Sequence, residues 1–176
     1  CSYSGDTEET LAAVQKAMLK RAHIICITSG GKLLELAKEY NLYWIQIPGE
    51  SKSPRGNLGY MMISLLYALY HTNLIGAAFI KETENAIEHL NRCEKAVESE
   101  AELIAKKLKC KLPIIYCDER LKAMAIRFQN QINENAKQMA HVNTFPEMNH
   151  NEIAGWQFPE AVLQHAQVIY LYSDHD

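Results

Sequence analysis

The chain has 176 residues, of which 48% are hydrophobic and 22% charged, a globular balance that excludes intrinsic disorder and allows one ordinary domain or two small ones. Eighteen Lys and Arg against 21 Asp and Glu leave a net charge of −3, which argues against a nucleic-acid-binding footprint, and the seven histidines do not reverse that at neutral pH. No apolar run approaches the roughly 20 residues of a membrane-spanning helix. The longest, Met61 to Ala68, is interrupted by Ser64 and Tyr67, and no basic stretch followed by an apolar one marks a secretory signal. The five cysteines (Cys1, Cys26, Cys93, Cys110, Cys117) are odd in number and lack the spacing of a zinc or redox pair. Cys26, Cys93 and Cys117 sit in apolar segments, so a reducing cytoplasm is the simplest location.

In chain order, Cys1 to Thr7 is a hydroxyl-rich turn, followed by a helix with Leu11, Val14 and Met18 on one face and Glu8 and Glu9 in its first turn. Such a turn ordinarily hangs from the end of a strand, so we expect the chain to be a fragment lacking that strand. His23 to Thr28 reads as a strand buried on both faces and is bounded by Ser29-Gly30-Gly31. A helix with Leu33, Leu34, Leu36 and Ala37 follows, then a strand over Leu42 to Ile47. Ser53-Pro54-Arg55-Gly56 marks a loop, and an apolar helix from about Gly59 to Tyr70 reads as core or dimer surface.

From Lys81 to Leu108 the pattern is charged and helical, with Ile87, Leu90, Val97, Ile104 and Leu108 near a 3.6 spacing, and it could reach about 40 Å. Lys111 to Cys117 reads as a buried strand, Leu121 to Met139 as a helix, and Val168 to Tyr172 as an isolated last strand before an acidic tail. The expected architecture is α/β: two three-layer lobes with parallel sheets, both incomplete, joined by a long helix. The boundaries fall at 1–80 for the first lobe, 81–109 for the connecting helix and 110–176 for the second lobe.

Two loops carry anion chemistry. Ser2, Ser4 and Thr7 surround Gly5 beside a helix N-terminus, whose free N–H groups and dipole favour phosphate. Thr28-Ser29-Gly30-Gly31 joins a buried strand to a helix in the same way, and both loops belong at the carboxyl edge of a parallel sheet. There is no G-x-x-x-x-G-K-[ST] segment, and plain helix capping is the structural alternative for the same hydroxyls.

CSYSGDTEET resembles the S-x-S-G-x-T phosphate loop of sugar isomerase (SIS) domains, and ITSGG resembles their second hydroxyl loop. SPRGNLGY (53–60) and RFQNQINENAKQMAHVNTFPEMNHNEIAGW (127–156) narrow the resemblance to bifunctional phosphoglucose/phosphomannose isomerases, two-SIS-domain members of the phosphoglucose isomerase superfamily. The resemblance implies that Ser2, Ser4, Thr7 and Ser29 bind the substrate phosphate. It implies that Arg55 is the active-site arginine, Glu134 the catalytic base and His150 the ring-opening histidine. It also implies a homodimer in which the histidine comes from the partner subunit, so that the active site is shared. Asp6 stands where asparagine is more usual, Phe128 where tryptophan is common, and Cys117-Asp118 where a glycine is expected. By the same resemblance, the family's first segment and its C-terminal part are expected to lie outside this chain.

The implied reaction interconverts glucose 6-phosphate and mannose 6-phosphate with fructose 6-phosphate through an enediolate. Moving a proton between C1 and C2 needs a carboxylate of modest pKa, which fits Glu134 on a helix between Ile132 and Ala136. A guanidinium supplies a persistent positive charge for the enediolate, which fits Arg55. Opening the sugar ring near neutral pH fits His150. No metal and no other cofactor is required, and neither nucleic acid nor a membrane is an expected partner. Read from the residues alone, Glu134 is a solvated helix residue, His150 a turn residue and Arg55 an exposed loop cation. Glu147 and Glu152 could orient His150, and His141 has no motif role. Two other readings stay open: a non-catalytic SIS sugar-phosphate regulator, and an isomerase for another sugar phosphate such as a pentose phosphate or an amino sugar.

Overall fold

The structure is a computed structural model that describes residues 1–49 and 54–173. Ser53, together with the tail at 174–176 that includes His175, lies outside the described residues. The chain forms two compact units, Cys1–His89 and Leu90–Asp176.

The first unit contains α1 (Glu8–Leu19), β1 (Ile25–Thr28), α2 (Gly31–Glu39), β2 (Tyr43–Gln46), a 3₁₀ turn (Pro54–Asn57) and α3 (Leu58–His71). β1 is short and apolar, and Cys26, Ile27 and Thr28 are almost completely buried. It pairs in parallel with β2, with Ile25 opposite Tyr43 and Thr28 opposite Gln46. Cys26, Leu33 and Ala37 form the core, onto which Leu11 and Val14 of α1 pack. The other edge of β1 is occupied by the first residues of the chain. Ser2 N–H donates to the Ile27 carbonyl, and Ser29 N–H donates to the Tyr3 carbonyl, both at 3.0 Å. The hydroxyl turn therefore does hang from the end of a strand-like segment, and that segment is Ser2–Tyr3. α3 is more open than a core helix: Ala68 is buried, while Tyr60, Met62, Leu65 and Tyr67 are exposed in this chain.

The second unit takes the greater part of α4 (Ala78–Leu108), then β3 (Leu112–Asp118), α5 (Lys122–Gln131), β4 (His141–Phe145), α6 (Glu147–His150), α7 (Glu152–Gly155), α8 (Glu160–Leu163) and β5 (Ala166–Leu171). Its sheet has the order β4-β3-β5 with every pair parallel, so β3 is central and buried on both faces. Alternation along β3 divides the core in two. Ile115 and Cys117 face α5 through Ala125, Phe128 and Ile132, whereas Ile114 and Tyr116 face Met148 and Trp156.

Three expectations change here. The last strand is not isolated, because β5 pairs with β3 from Leu112–Ala166 to Cys117–Leu171. HVNTF forms strand β4, which its three polar residues concealed. The helix expected to continue to Met139 ends at Gln131 and passes into a single π-helical turn, Ile132–Ala136. Lys137 then adopts a left-handed conformation (φ 56°), and its Nζ donates to the Glu134 carbonyl at 2.7 Å, closing the helix end. Asp118, found where a glycine was expected, caps the following turn: its Oδ1 accepts from Arg120 N–H (2.7 Å) and Leu121 N–H (3.1 Å).

Candidate functional site

In the first unit the two hydroxyl loops lie side by side and lock into each other at the carboxyl end of β1. Gly5 has φ +75° and Gly31 φ +66°, a region where glycine carries little strain. A Cβ on Gly5 would run into the Gly30 carbonyl, and one on Gly31 into the Ser4 carbonyl. Across this contact the Gly5 carbonyl accepts from Leu33 N–H (2.9 Å), and Asp6 Oδ1 accepts from Lys32 N–H (3.0 Å). Asp6 thus caps α2 from the neighbouring loop, which gives the departure from asparagine a structural role. Thr28 Oγ1 and Ser29 Oγ both donate to the Tyr3 carbonyl, at 3.3 and 2.6 Å.

This interlock separates the two helix N-termini. The α2 end is closed by Gly5 and Asp6. At the α1 end Thr7 makes no side-chain cap; its Oγ1 instead pairs with Ser2 Oγ at 2.9 Å. Ser2 is buried (7% exposed) and its Oγ also accepts from Gly5 N–H, while Ser4 and Thr7 are exposed at the mouth of the turn. The geometry therefore offers an anion the α1 N-terminus with exposed hydroxyls around it. Ser29 lies half-buried beside that turn, its carbonyl accepting from Gln46 Nε2 (3.1 Å). Arg55 belongs to the same unit, half-buried in the 3₁₀ turn that leads into α3, and α3 packs against β1.

Glu134 and His150 belong to the second unit. Glu134 is exposed at the middle of the π-helical turn. π-turns are rare and cluster at functional sites. α5 starts at the carboxyl end of β3 and runs back to the start of β4, so Glu134 stands toward the amino edge of this sheet. Gln138, four residues on, marks the same edge by donating to the carbonyls of Leu108 and Lys111, just before β3. His150 follows the carboxyl end of β4 and is exposed at the end of α6. Within one copy of this unit the two residues thus stand toward opposite edges of the sheet. The structure gathers Ser2, Ser4, Thr7 and Ser29 around one turn and does not bring Glu134 to His150.

Sequence reasoning missed a polar cluster on the Tyr116 face of this sheet. Tyr116 Oη donates to Glu152 Oε1, Asn143 Nδ2 donates to Glu152 Oε2, and His141 Nε2 lies 3.0 Å from the same oxygen. Trp156 Nε1 donates to Tyr116 Oη at 2.8 Å. Glu152 therefore engages the strands and does not orient His150 by direct contact, and Glu147 accepts from Asn151 Nδ2 (2.7 Å). The period of two in β4 was the available signal, since it puts His141 and Asn143 on one face, with Tyr116 directly across from Asn143. Burial alone would raise the Glu152 carboxyl, but the hydrogen bonds from Tyr116, Asn143 and His141 outweigh it and hold the group below its ordinary 4.5. Burial and the bond to Glu152 push the Tyr116 hydroxyl up to about 12.

Among the described residues, no helix is long and apolar enough to cross a membrane. Residues 97–176 match the family described as bacterial phospho-glucose isomerase C-terminal SIS domain. The chain is 40% identical over 182 residues to the bifunctional phosphoglucose/phosphomannose isomerase of Caldicellulosiruptor bescii, covering 99% of this chain and 53% of that protein. It is 37% identical over 159 residues to the protein of the same name from Aquifex aeolicus, covering 90% and 47%. It is also 34% identical over 153 residues to the D-glucosamine-6-phosphate 4-epimerase of Sulfolobus acidocaldarius, covering 86% and 48%. In fold it is similar to a candidate sugar binding protein from Salmonella typhimurium LT2, with a TM-score of 0.72 and 15% identity over 99% of this chain and 54% of the other.

Parallel sheets, interlocked hydroxyl turns and these matches define an SIS-domain protein. More narrowly, over 90% or more of its length the chain is similar in sequence to two bifunctional phosphoglucose/phosphomannose isomerases. It spans about half the length of the curated relatives it matches.

Two outcomes follow from this geometry. Gly5→Ala places a methyl group against the Gly30 carbonyl in a left-handed conformation, so it should cost about 2 kcal/mol or more, read as a lowered thermal midpoint. Glu152 has a depressed folded-state pKa, so its contribution is complete above about pH 4.5 and is lost as pH falls through the lowered value. Glu152→Gln should therefore be less stable than the parent near neutrality, and the gap should narrow toward pH 3, measured by circular-dichroism melts across the range.

Proposed function

We propose that the intact protein interconverts glucose 6-phosphate, and mannose 6-phosphate, with fructose 6-phosphate. The observation that carries this reading is the turn Ser2–Thr7, where exposed hydroxyls ring an uncapped α1 N-terminus in a chain whose relatives are named for this isomerisation. The substrate phosphate is held by Ser4, Thr7 and the first-turn N–H groups, with the buried Ser2 hydroxyl fixing Thr7 and Ser29 joining them when its hydroxyl turns from the Tyr3 carbonyl to the ligand. Glu134 moves the proton between C1 and C2, and the π-turn that displays it supports that role. Arg55 stabilises the enediolate oxygen. His150 transfers the ring-opening proton. Both hexose phosphates give the same enediolate, so a site tolerant of either configuration at C2 accepts both.

The assembly is a homodimer in which each active site takes its histidine from the second copy. The opposed placement of Glu134 and His150 within one copy of the second unit supports this. A second reading, an isomerase or epimerase of an amino-sugar phosphate, is favoured by the Sulfolobus relative's name and sets the substrate panel for the assay.

In the intact protein, Glu134→Gln should lower turnover of both hexose 6-phosphates by roughly a hundredfold or more while KM changes little. Unchanged turnover would reject the assignment. Glu134→Gln and His150→Ala, each inactive alone, should regain up to about a quarter of parental activity when their subunits are mixed and exchanged, because half of the dimers then hold one intact site. A mixture that stays inactive after demonstrated exchange rules out the shared site.

A further inference from the structure

His150 stands on a short segment with little regular structure of its own. α6 and α7 are four residues each, too short to hold a side chain in place by helix packing alone. What fixes the segment is its contact with the sheet, made at three points. Two residues before His150, Met148 is buried against Ile114 and Tyr116. Two residues after it, Glu152 accepts hydrogen bonds from Tyr116 on β3 and from Asn143 and His141 on β4. Trp156 closes the segment by packing on Tyr116 and donating to its hydroxyl. His150 is thus the exposed apex of a turn whose flanks are tied down, one side by an apolar contact and the other by a carboxylate.

The two ties differ in kind. The Met148 contact is non-directional and tolerates sliding. The Glu152 carboxylate is directional, with one oxygen committed to Tyr116 and the other shared by two donors on the neighbouring strand. Asn143 and Tyr116 lie directly opposite each other across the β3–β4 ladder, so the carboxylate is read by two strands at once. The pull of these donors on the carboxyl group, strong enough to outweigh the effect of burial, agrees with a persistent contact.

We infer that Glu152, held by Tyr116, Asn143 and His141, is a positioning residue that fixes the register and height of the His150 turn above the sheet. This rests on the proposed role of His150 in opening the sugar ring. Glu152 does not touch substrate. It acts by keeping the imidazole within proton-transfer distance of the ring oxygen, where a displacement of an ångström is costly.

The test compares Glu152→Ala, Glu152→Gln, Tyr116→Phe and His150→Ala in the intact protein, with glucose 6-phosphate kinetics and amide hydrogen exchange. Glu152→Ala should lower kcat about tenfold with KM within about twofold, and exchange should quicken in 147–155 while β3 and β5 stay protected. Glu152→Gln keeps one acceptor and should recover part of the loss. Tyr116→Phe removes one donor and should fall between the parent and Glu152→Ala. Full kcat in Glu152→Ala beside a damaged His150→Ala overturns the anchoring and leaves the histidine's role standing. An unaffected His150→Ala overturns the ring-opening role and the inference with it. If Glu152→Ala loosens β3 and β5 along with the turn, the milder Tyr116→Phe decides: faster exchange confined to 147–155 with a lowered kcat supports the anchoring, and loosening of the whole sheet makes Glu152 a stability residue and overturns it.

Discussion

The first unit depends on two backbone turns occupying almost the same space. Gly5 and Gly31 are pressed against each other's loops so closely that neither can carry a side chain. The contact is cross-linked by two bonds from the α2 N-terminus, to the Gly5 carbonyl and to Asp6. Its consequence is a division of labour between two helix ends that look alike in sequence. One is satisfied internally and becomes part of the scaffold. The other keeps its free donors, because the Thr7 hydroxyl is drawn away to Ser2. An anion held at that end would meet neutral donors and a dipole.

The second unit uses its sheet in a different manner. β3 is the buried axis, and its alternating side chains hold α5 on one face and the 147–156 segment on the other. A helix following a parallel strand must return to the amino edge before the next strand can start, whereas a loop leaving a strand stays at the carboxyl edge. That rule alone separates Glu134 from His150. Two groups proposed for one reaction therefore stand toward opposite edges of one sheet. The same face of the sheet carries the Tyr116–Glu152 cluster, whose polar bonds substitute for the helical regularity that the short α6 and α7 lack.

Apolar surface remains open on both units. Tyr60, Met62, Leu65 and Tyr67 of α3 are exposed, and in the second unit Val97, Ala101, Ile104 and Leu108 line a groove of about 830 Å³ against Phe128, Ile132 and Ala136. The chain spans about half of its curated relatives.

Much of the scaffold was legible in the order of residues. Continuous apolar runs such as IICIT and LPIIYC read as strands buried on both faces, and the 3.6 periodicity of α1, α2 and α4 needed no tertiary help. The hydroxyl turn was legible as Ser, Thr and Gly ahead of a helix, a pattern that plain capping shares. What the order of residues could not show were properties of pairs far apart in the chain. β4 was hidden because His and Asn in a strand look like loop residues until Glu152 arrives from another element to satisfy them. The end of α5 was hidden because the π-turn and the left-handed Lys137 depend on how Ile132 fits the core. Asp6 was read only as a departure from a more usual asparagine and turned out to cap α2 from the neighbouring loop. Local pattern fixes which segments become helix or strand, since that depends on neighbours a few residues away. Which polar group meets which is decided only when the sheet brings distant residues within hydrogen-bonding reach.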